Sequence, residues 1–409
     1  MTAPAARPTP LPRLLAITFL GSLSSGVFWA GIFFVTAGRY HFSAVRNLVL
    51  AAAMGAAYAG AAQGAGAVVR ALERRLTPRA VLAWALVAWG AAALAPVLAS
   101  GAEWVLWFSG LAGAAAGAVT WPIVESYLAG GRHGANMRAA LGWFNVTWTP
   151  ATAVPLLVMP LLVRRDVLAT LVLSAGGSLA SGLLVLCMLP ARPGAHEPEA
   201  ASAAIGREYR WLLRSASWLL PLSYVMSSTL SPVMPHRLTA LGVDRTWQSA
   251  VAALWMLARF ATLLTMWRLP FWHGRWGTLA AGAVAMVAGV ALVLLAPGLD
   301  ALVSGLLLFG TGTGLIYYAA LYYSLAVGHA AVDAGGSFEA LIGLGYAVGP
   351  LLGLGGHLAP ASAASSATVA LAGVVSVLAG IAAVGPYRTA RRDRRIAKTP
   401  VTAKDATEG

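Results

Sequence analysis

The chain has 409 residues, of which 59% are hydrophobic and only 10% charged, with a mean hydropathy of +0.74 and a formal net charge of +14. A water-soluble domain carries about 25% charged residues, so this composition excludes a soluble globular protein and points to the bilayer as solvent. The apolar blocks are about 20 residues long, enough to cross roughly 30 Å of hydrocarbon as helix, whereas a transmembrane β-barrel would show alternating segments of about 10 residues.

Breaks at charge clusters divide the chain into twelve expected spans, at positions 14–37, 46–69, 80–99, 104–129, 139–163, 167–189, 215–235, 247–267, 277–296, 300–327, 336–358 and 362–385. Backbone polar groups in lipid must be satisfied within the segment, so each span is read as α-helix. The first span follows a Pro- and Ala-rich segment, Met1 to Pro12. It is longer than the apolar region of a cleaved signal, so it reads as a retained anchor. An even number of spans puts both termini on one side. Of the 28 Lys and Arg, twenty-one fall on that side, six on the other, and one, Arg259, inside a span. The excess makes the terminal side cytoplasmic by the positive-inside rule, which gives an integral protein of the plasma membrane, in a bacterium the inner membrane. The basic tail, with Arg391, Arg392, Arg394 and Arg395, faces anionic headgroups in this reading, and no nucleic-acid partner is expected. The lone cysteine, Cys187, has no partner for an intramolecular disulfide.

The longest polar break runs from Pro190 to Arg214 and separates six spans from six. Internal similarity supports the division. At a shift of 197, Gly113, Gly117, Leu128 and Ala129 coincide with Gly310, Gly314, Leu325 and Ala326. At a shift of 194, Gly142, Phe144, Ala153 and Val154 coincide with Gly336, Phe338, Ala347 and Val348, and Arg79 falls on Arg275 at a shift of 196. Three segments agreeing on nearly one shift predict an N-terminal half (1–189), a linker (190–214), a C-terminal half (215–385) and a basic tail (386–409).

Further motifs lie between the spans. The segment from Gly66 carries Glu73, Arg74 and Arg79 between spans two and three, with Thr77 and Pro78 in place of a loop glycine. Around spans four and five stand Pro122, Glu125, Ser126, Tyr127, Arg138, Leu141, Gly142, Phe144 and Asn145. With six plus six spans, these residues resemble the major facilitator superfamily of secondary transporters over nearly the whole chain. The resemblance implies an all-α protein of twelve transmembrane helices in two pseudo-symmetric six-helix halves, with helices one, four, seven and ten lining a central cavity. It makes Gly66, Glu73, Arg74 and Arg79 candidates for a conformational loop. Gly345, Gly349, Pro350 and Gly353 form a glycine and proline pattern in span eleven rather than in span five, where proton-linked drug antiporters of that family carry it.

Ionisable groups within spans are costly to keep and mark functional sites. Arg259 lies about 12 Å from the inner end of span eight, too deep to snorkel. It either grips an anionic substrate group or pairs with a carboxylate on another helix. Glu125 is either a protonatable coupling group or the ion-pair partner of Arg74, Arg75 and Arg79. Glu339, expected in the first turn of span eleven, is either a proton or substrate site or a carboxylate stabilised by the helix N-terminus. Trp29, Asn145, Trp148, Tyr224, Tyr318 and Tyr322 complete the substrate-path candidates. Mid-span phenols and indoles need hydrogen-bond partners, although ordinary helix packing also uses such groups. Ser22, Ser24, Ser25, Trp121, Ser227, Ser228, Tyr317 and Tyr323 have the same double reading, and Pro122, Pro150, Pro155, Pro232 and Pro350 suit helices that bend.

No phosphate-binding loop, HExxH or GxSxG occurs. No catalytic residue, metal site or cofactor is therefore expected, and no enzyme. The expected function is secondary active or facilitative transport of a small molecule by alternating access, possible partners being an anionic or zwitterionic solute and protons, with the chain acting as a monomer in the bilayer. A lipid flippase, a transporter-like sensor and a membrane-embedded enzyme are the alternatives.

Overall fold

The computed structural model describes positions 8–99, 101–132, 134–163, 166–194, 207–327 and 332–358, together with isolated positions between 375 and 391. Most of the twelfth span, the middle of the linker (195–206) and the tail beyond Arg391 lie outside the described residues.

Long apolar segments become long helices because nothing else closes the backbone in lipid. The first rod comprises α1 (Leu11–Gly26), a π-helical turn (Val27–Gly31) and α2 (Ile32–Arg39). There follow α3 (Ala44–Leu72), α4 (Pro78–Leu98), α5 (Glu103–Ala129), α6 (Gly134–Val163), α7 (Ala169–Met188) and α8 (Arg207–Ala240). Then come α9 (Arg245–Ala252) and α10 (Leu254–Arg268), which abut at Ala253, and α11 (Trp276–Leu295), α12 (Leu299–Val327) and α13 (Val332–Leu358). Each of the first eleven expected spans thus coincides with one rod. Local chemistry sets several starts. The Ser43 hydroxyl accepts from the Arg46 amide at 3.3 Å, Thr77 accepts from Ala80 ahead of Pro78 at the first helical position, and the Asp244 carboxylate accepts from Thr246 at 2.8 Å. Among the described residues, ten rods are long and apolar enough to cross a membrane. The chain is an all-α polytopic membrane protein.

The seventh rod departs from expectation twice. α8 begins at Arg207, so the last eight positions of the expected linker, 207–214, are helical. Leu212 is fully buried there and Tyr209 packs 5.3 Å from the Tyr323 ring, which gives the added turns an apolar seat. α8 is also missing from the ten apolar rods. Its Ser223, Ser227 and Ser228 are buried, with their hydroxyls donating to carbonyls of the preceding turn at 2.6 to 3.2 Å. Back-bonded hydroxyls of this kind can sit inside a bundle without exposing an unmet polar group. α8 packs on α12, α13 and α3 rather than facing lipid alone.

The packing pattern repeats along the chain. α1 lies on α6, and α5 lies on both α3 and α4; correspondingly α8 lies on α13, and α12 lies on both α10 and α11. The two sets meet crosswise, α3 on α13 and α6 on α10. Glycines make the first seam close. A Cβ at Gly55 would overlap the Tyr346–Ala347 backbone, and one at Gly343 would stand 2.7 Å from the Ala59 Cα. At the second seam Gly142 leaves room for the Trp267 indole, which meets Trp143 edge-on at 4.8 Å. Gly142 and Gly336, paired by the internal repeat, both lie at these seams, Gly336 against the Ala62 carbonyl.

Candidate functional site

The first rod reaches the bundle centre through its π-turn. One extra residue per turn breaks the ordinary helical register, and the Trp29 indole stacks flat on Tyr346 of α13, with ring centroids 3.8 Å apart and planes 7° from parallel. Tyr58 of α3 meets both rings edge-on, at 5.2 and 5.8 Å. These three residues are one corner of a cavity with about 490 Å³ of space between its lining atoms. Its wall also includes Trp121, Phe144, Trp148, Tyr224 and Tyr317, so eight aromatic rings surround it.

Three charged side chains belong to this site. Glu125 of α5 and Glu339 of α13 line the cavity directly. Arg259 of α10 stands behind its aromatic wall, only 6% exposed. Its Nη2 donates to the Tyr224 hydroxyl at 3.2 Å, and its guanidinium carbon lies 4.5 Å from the Tyr317 ring centroid, 4.9 Å from Trp148 and 5.7 Å from Tyr224. Each such face-on contact stabilises a desolvated cation by up to about 2 kcal/mol. Arg259 Nε is buried without a hydrogen-bond partner, and among the described residues Arg259 forms no ion pair. Glu339, 5% exposed, accepts a short hydrogen bond from the Tyr58 hydroxyl, which ties α13 to α3.

The sequence-derived candidates separate on this map. Trp29, Glu125, Trp148, Tyr224 and Glu339 line one cavity and Arg259 touches its wall. Asn145 does not line it; buried, it accepts a 2.9 Å hydrogen bond from Trp148 Nε1 and fixes that indole. Tyr318 and Tyr322 are corrected: they pack around Trp272 at 5.3 and 5.0 Å, toward the α10–α11 connection, and the cavity takes the neighbouring Tyr317 instead. A helical rotation of about 100° between successive residues separates Tyr317 from Tyr318.

Two electrostatic expectations are also corrected. The ion pair of Glu125 with Arg74, Arg75 or Arg79 is absent among the described residues. Arg79 instead donates to the Leu189 carbonyl at 3.1 Å, and Glu73 pairs with Arg192 at 3.2 Å, so this loop grips the start of the linker. Arg74 is exposed and Gly66 is buried in α3. Glu339 is not in a first helical turn, because α13 begins at Val332 and places it about two turns in, beyond the reach of the helix terminus.

Tyr58 and Tyr346 were not singled out by sequence, yet both shape the site. Each had a signal: Tyr58 is the one aromatic of a span built of Ala and Gly, and Tyr346 follows Glu339 by seven residues, hence on the same helix face.

Two more cavities stack on the first along the same helices. The middle one is a nearly filled constriction, walled by Ala30, Phe34, Leu156, Leu230 and Met234. The next is wider, and its lining includes Arg39, Asp166, His236, Arg245 and Gln248. Trp29, Phe34 and Arg39 on the first rod, Trp148, Leu156 and Met159 on α6, and Tyr224, Met234 and His236 on α8 follow the same order. The series leads to the side opposite the start of the first rod.

No family model matches the chain, and no curated protein matches it in sequence. Solved structures do. The crystal structure of the human organic anion transporter MFSD10 (TETRAN) superposes with a TM-score of 0.66 at 15% identity, covering 90% of this chain and 99% of that one. The nucleoside transporter NupG gives a TM-score of 0.65 at 14% identity, covering 92% of this chain and 98% of that one. With these neighbours the described helices and their crosswise packing place the chain in the major facilitator fold.

Proposed function

We propose that the chain is a secondary transporter that moves a small organic molecule by alternating access. The observation that carries this reading is the central cavity, lined by Glu125 from α5 and Glu339 from α13 and backed by Arg259 from α10, which contacts its wall residues Tyr224 and Tyr317. Charges this deep are costly and are kept where a solute or ion meets them. In this reading 1–189 and 215–385 are the two rocking halves, supported by the repeated helix packing. The termini lie in the cytoplasm of a plasma-membrane protein acting as a monomer, so the stacked cavities open outward. The structural neighbours carry organic anions and nucleosides, and Arg259 fits a solute with an acidic group. One guanidinium against two carboxylates leaves the site one positive charge short of neutrality, a place for a proton or a cationic group. The driving force is then an ion gradient, with Glu125 and Glu339 as proton carriers.

The test is flux of chemically unchanged solute into vesicles holding the purified protein. Arg259→Ala is expected to lower flux by about 10² or more, as befits loss of a charge-assisted contact of roughly 3 kcal/mol. Unchanged flux with intact folding would remove Arg259 from the mechanism, and flux indifferent to an imposed pH gradient would remove the two glutamates as proton carriers.

A further inference from the structure

The opposite charges of the cavity are kept apart. Among the described residues neither Glu125 nor Glu339 forms an ion pair with Arg259, although all three belong to one site. A file of rings separates the two poles. Arg259 donates to Tyr224, Tyr224 meets Tyr346 edge-on at 5.1 Å, Tyr346 meets Tyr58 at 5.8 Å, and Tyr58 donates to Glu339. The negative pole has two carboxylates on the cavity wall, Glu339, held by Tyr58, and Glu125, and each pole keeps unused bonding capacity. Arg259 Nε is buried and lacks an acceptor, and Glu125 makes no hydrogen bond or ion pair among the described residues. Two opposite charges held apart inside the helix bundle form a fixed dipole, and a solute of reversed dipole completes both ends.

We infer that the cavity takes a flat zwitterion: a solute with an acidic group at one end of an aromatic or similarly planar body and an amine at the other. The inference deepens the transport reading and rests on its cavity. The acid lies against Tyr224, whose hydroxyl the Arg259 guanidinium holds, the amine meets Glu125, and the body lies along the ring-lined wall that the Trp29 and Tyr346 stack begins. An acid alone leaves Glu125 unmatched. An amine alone leaves the guanidinium unmatched. A flexible aliphatic chain forfeits the stacking that eight rings offer and loses more rotational freedom on binding.

The experiment uses the full chain in lipid nanodiscs, where the cavity's Trp29, Trp121 and Trp148 report occupancy by fluorescence. The probes are para-aminomethylbenzoate, benzoate, benzylamine and the aliphatic zwitterion ε-aminocaproate. The aromatic zwitterion is expected to bind about tenfold or more tightly than each of the other three, an unmatched buried charge costing at least that factor. Arg259→Gln should erase its advantage over benzylamine, and Glu125→Gln its advantage over benzoate. Equal or tighter binding of benzoate, benzylamine or ε-aminocaproate by the unmodified protein overturns the proposal, as does no response to any probe, and neither result depends on a variant folding. Counterflow in proteoliposomes separates the two readings. Zwitterion binding without flux keeps the dipolar site and retires transport, whereas Arg259-dependent flux of benzoate or benzylamine alone keeps transport and overturns the zwitterion.

Discussion

Arg259 is held by ring faces and one phenol rather than by a carboxylate. A buried cation stabilised this way remains a burden on the fold, because its desolvation is only partly compensated. Arg259→Met, close in volume and without charge, should therefore leave the thermal unfolding midpoint unchanged or raised, a gain of about 1 to 3 kcal/mol, while abolishing solute flux. A lowered midpoint in nanodiscs would show that the guanidinium holds the fold instead. Tyr58→Phe acts in the opposite sense. It strips Glu339 of its donor while keeping the ring contacts to Trp29 and Tyr346. The orphaned carboxylate should cost about 1 to 3 kcal/mol in stability, read as a lowered midpoint that Glu339→Gln in the same chain partly restores. These residues also show how far sequence reaches. Arg259, Glu125 and Glu339 stood out because a charge in an apolar span is visible in one dimension. Tyr58 and Tyr346 did not, since their role depends on α3 crossing α13 at the height of Glu339. The choice of Tyr317 over Tyr318 likewise depends on the rotation of α12 about its own axis, which spacing alone leaves free.

Among the elements, the α3 and α13 seam sets the tightest condition. A Cβ on Gly55 meets main chain rather than a movable side chain, so the helices must separate or the backbone must bend. Gly55→Ala is expected to cost about 1 to 3 kcal/mol, the range for overpacking a filled interior, and to weaken solute binding as well, because Tyr346 is both the obstructing residue and a cavity wall. Gly60, on the same helix with nothing near its Cβ position, supplies the control: Gly60→Ala should be neutral or stabilising. A similar loss from both variants would mean that helix propensity, not the seam, is being measured. The rods themselves were legible because length and hydropathy are local properties, and the capping by Ser43, Thr77 and Asp244 follows from local hydrogen bonds. The π-turn was not legible. Its one extra residue leaves no trace in hydropathy, and it is fixed by contacts such as Gly26 against the Thr152 backbone and Trp29 on Tyr346.

For the whole molecule, the stacked cavities give a direction. Thr239, exposed, borders the widest of the stacked cavities on the side away from the start of the first rod, while Trp267 fills the α6 and α10 seam nearer the other end. Cys187 is exposed at the end of α7, so a Cys187→Ser background is free of thiols. In that background Thr239→Cys should react with a membrane-impermeant maleimide added from the side away from the start of the first rod, and Gly142→Ser combined with Trp267→Cys should not. Reaction of Trp267→Cys from that side alone would reverse the assigned direction.

The weakly apolar α8 bears on how such a molecule is made. A helix that enters the bilayer alone is judged by its own hydropathy, and α8, with its run of serines and three internal prolines, falls short of the ten other rods. Its hydroxyls reach carbonyls of α13, Ser228 to Gly345 and Thr229 to Gly349, at 2.9 and 2.8 Å. α13 emerges from the ribosome long after α8 does. The seventh segment must therefore wait at the translocon or at the flank of the finished first six, and biogenesis of the second half becomes a cooperative event. A reporter fused after Ala240 should reach its proper side far less often than one fused after Leu358.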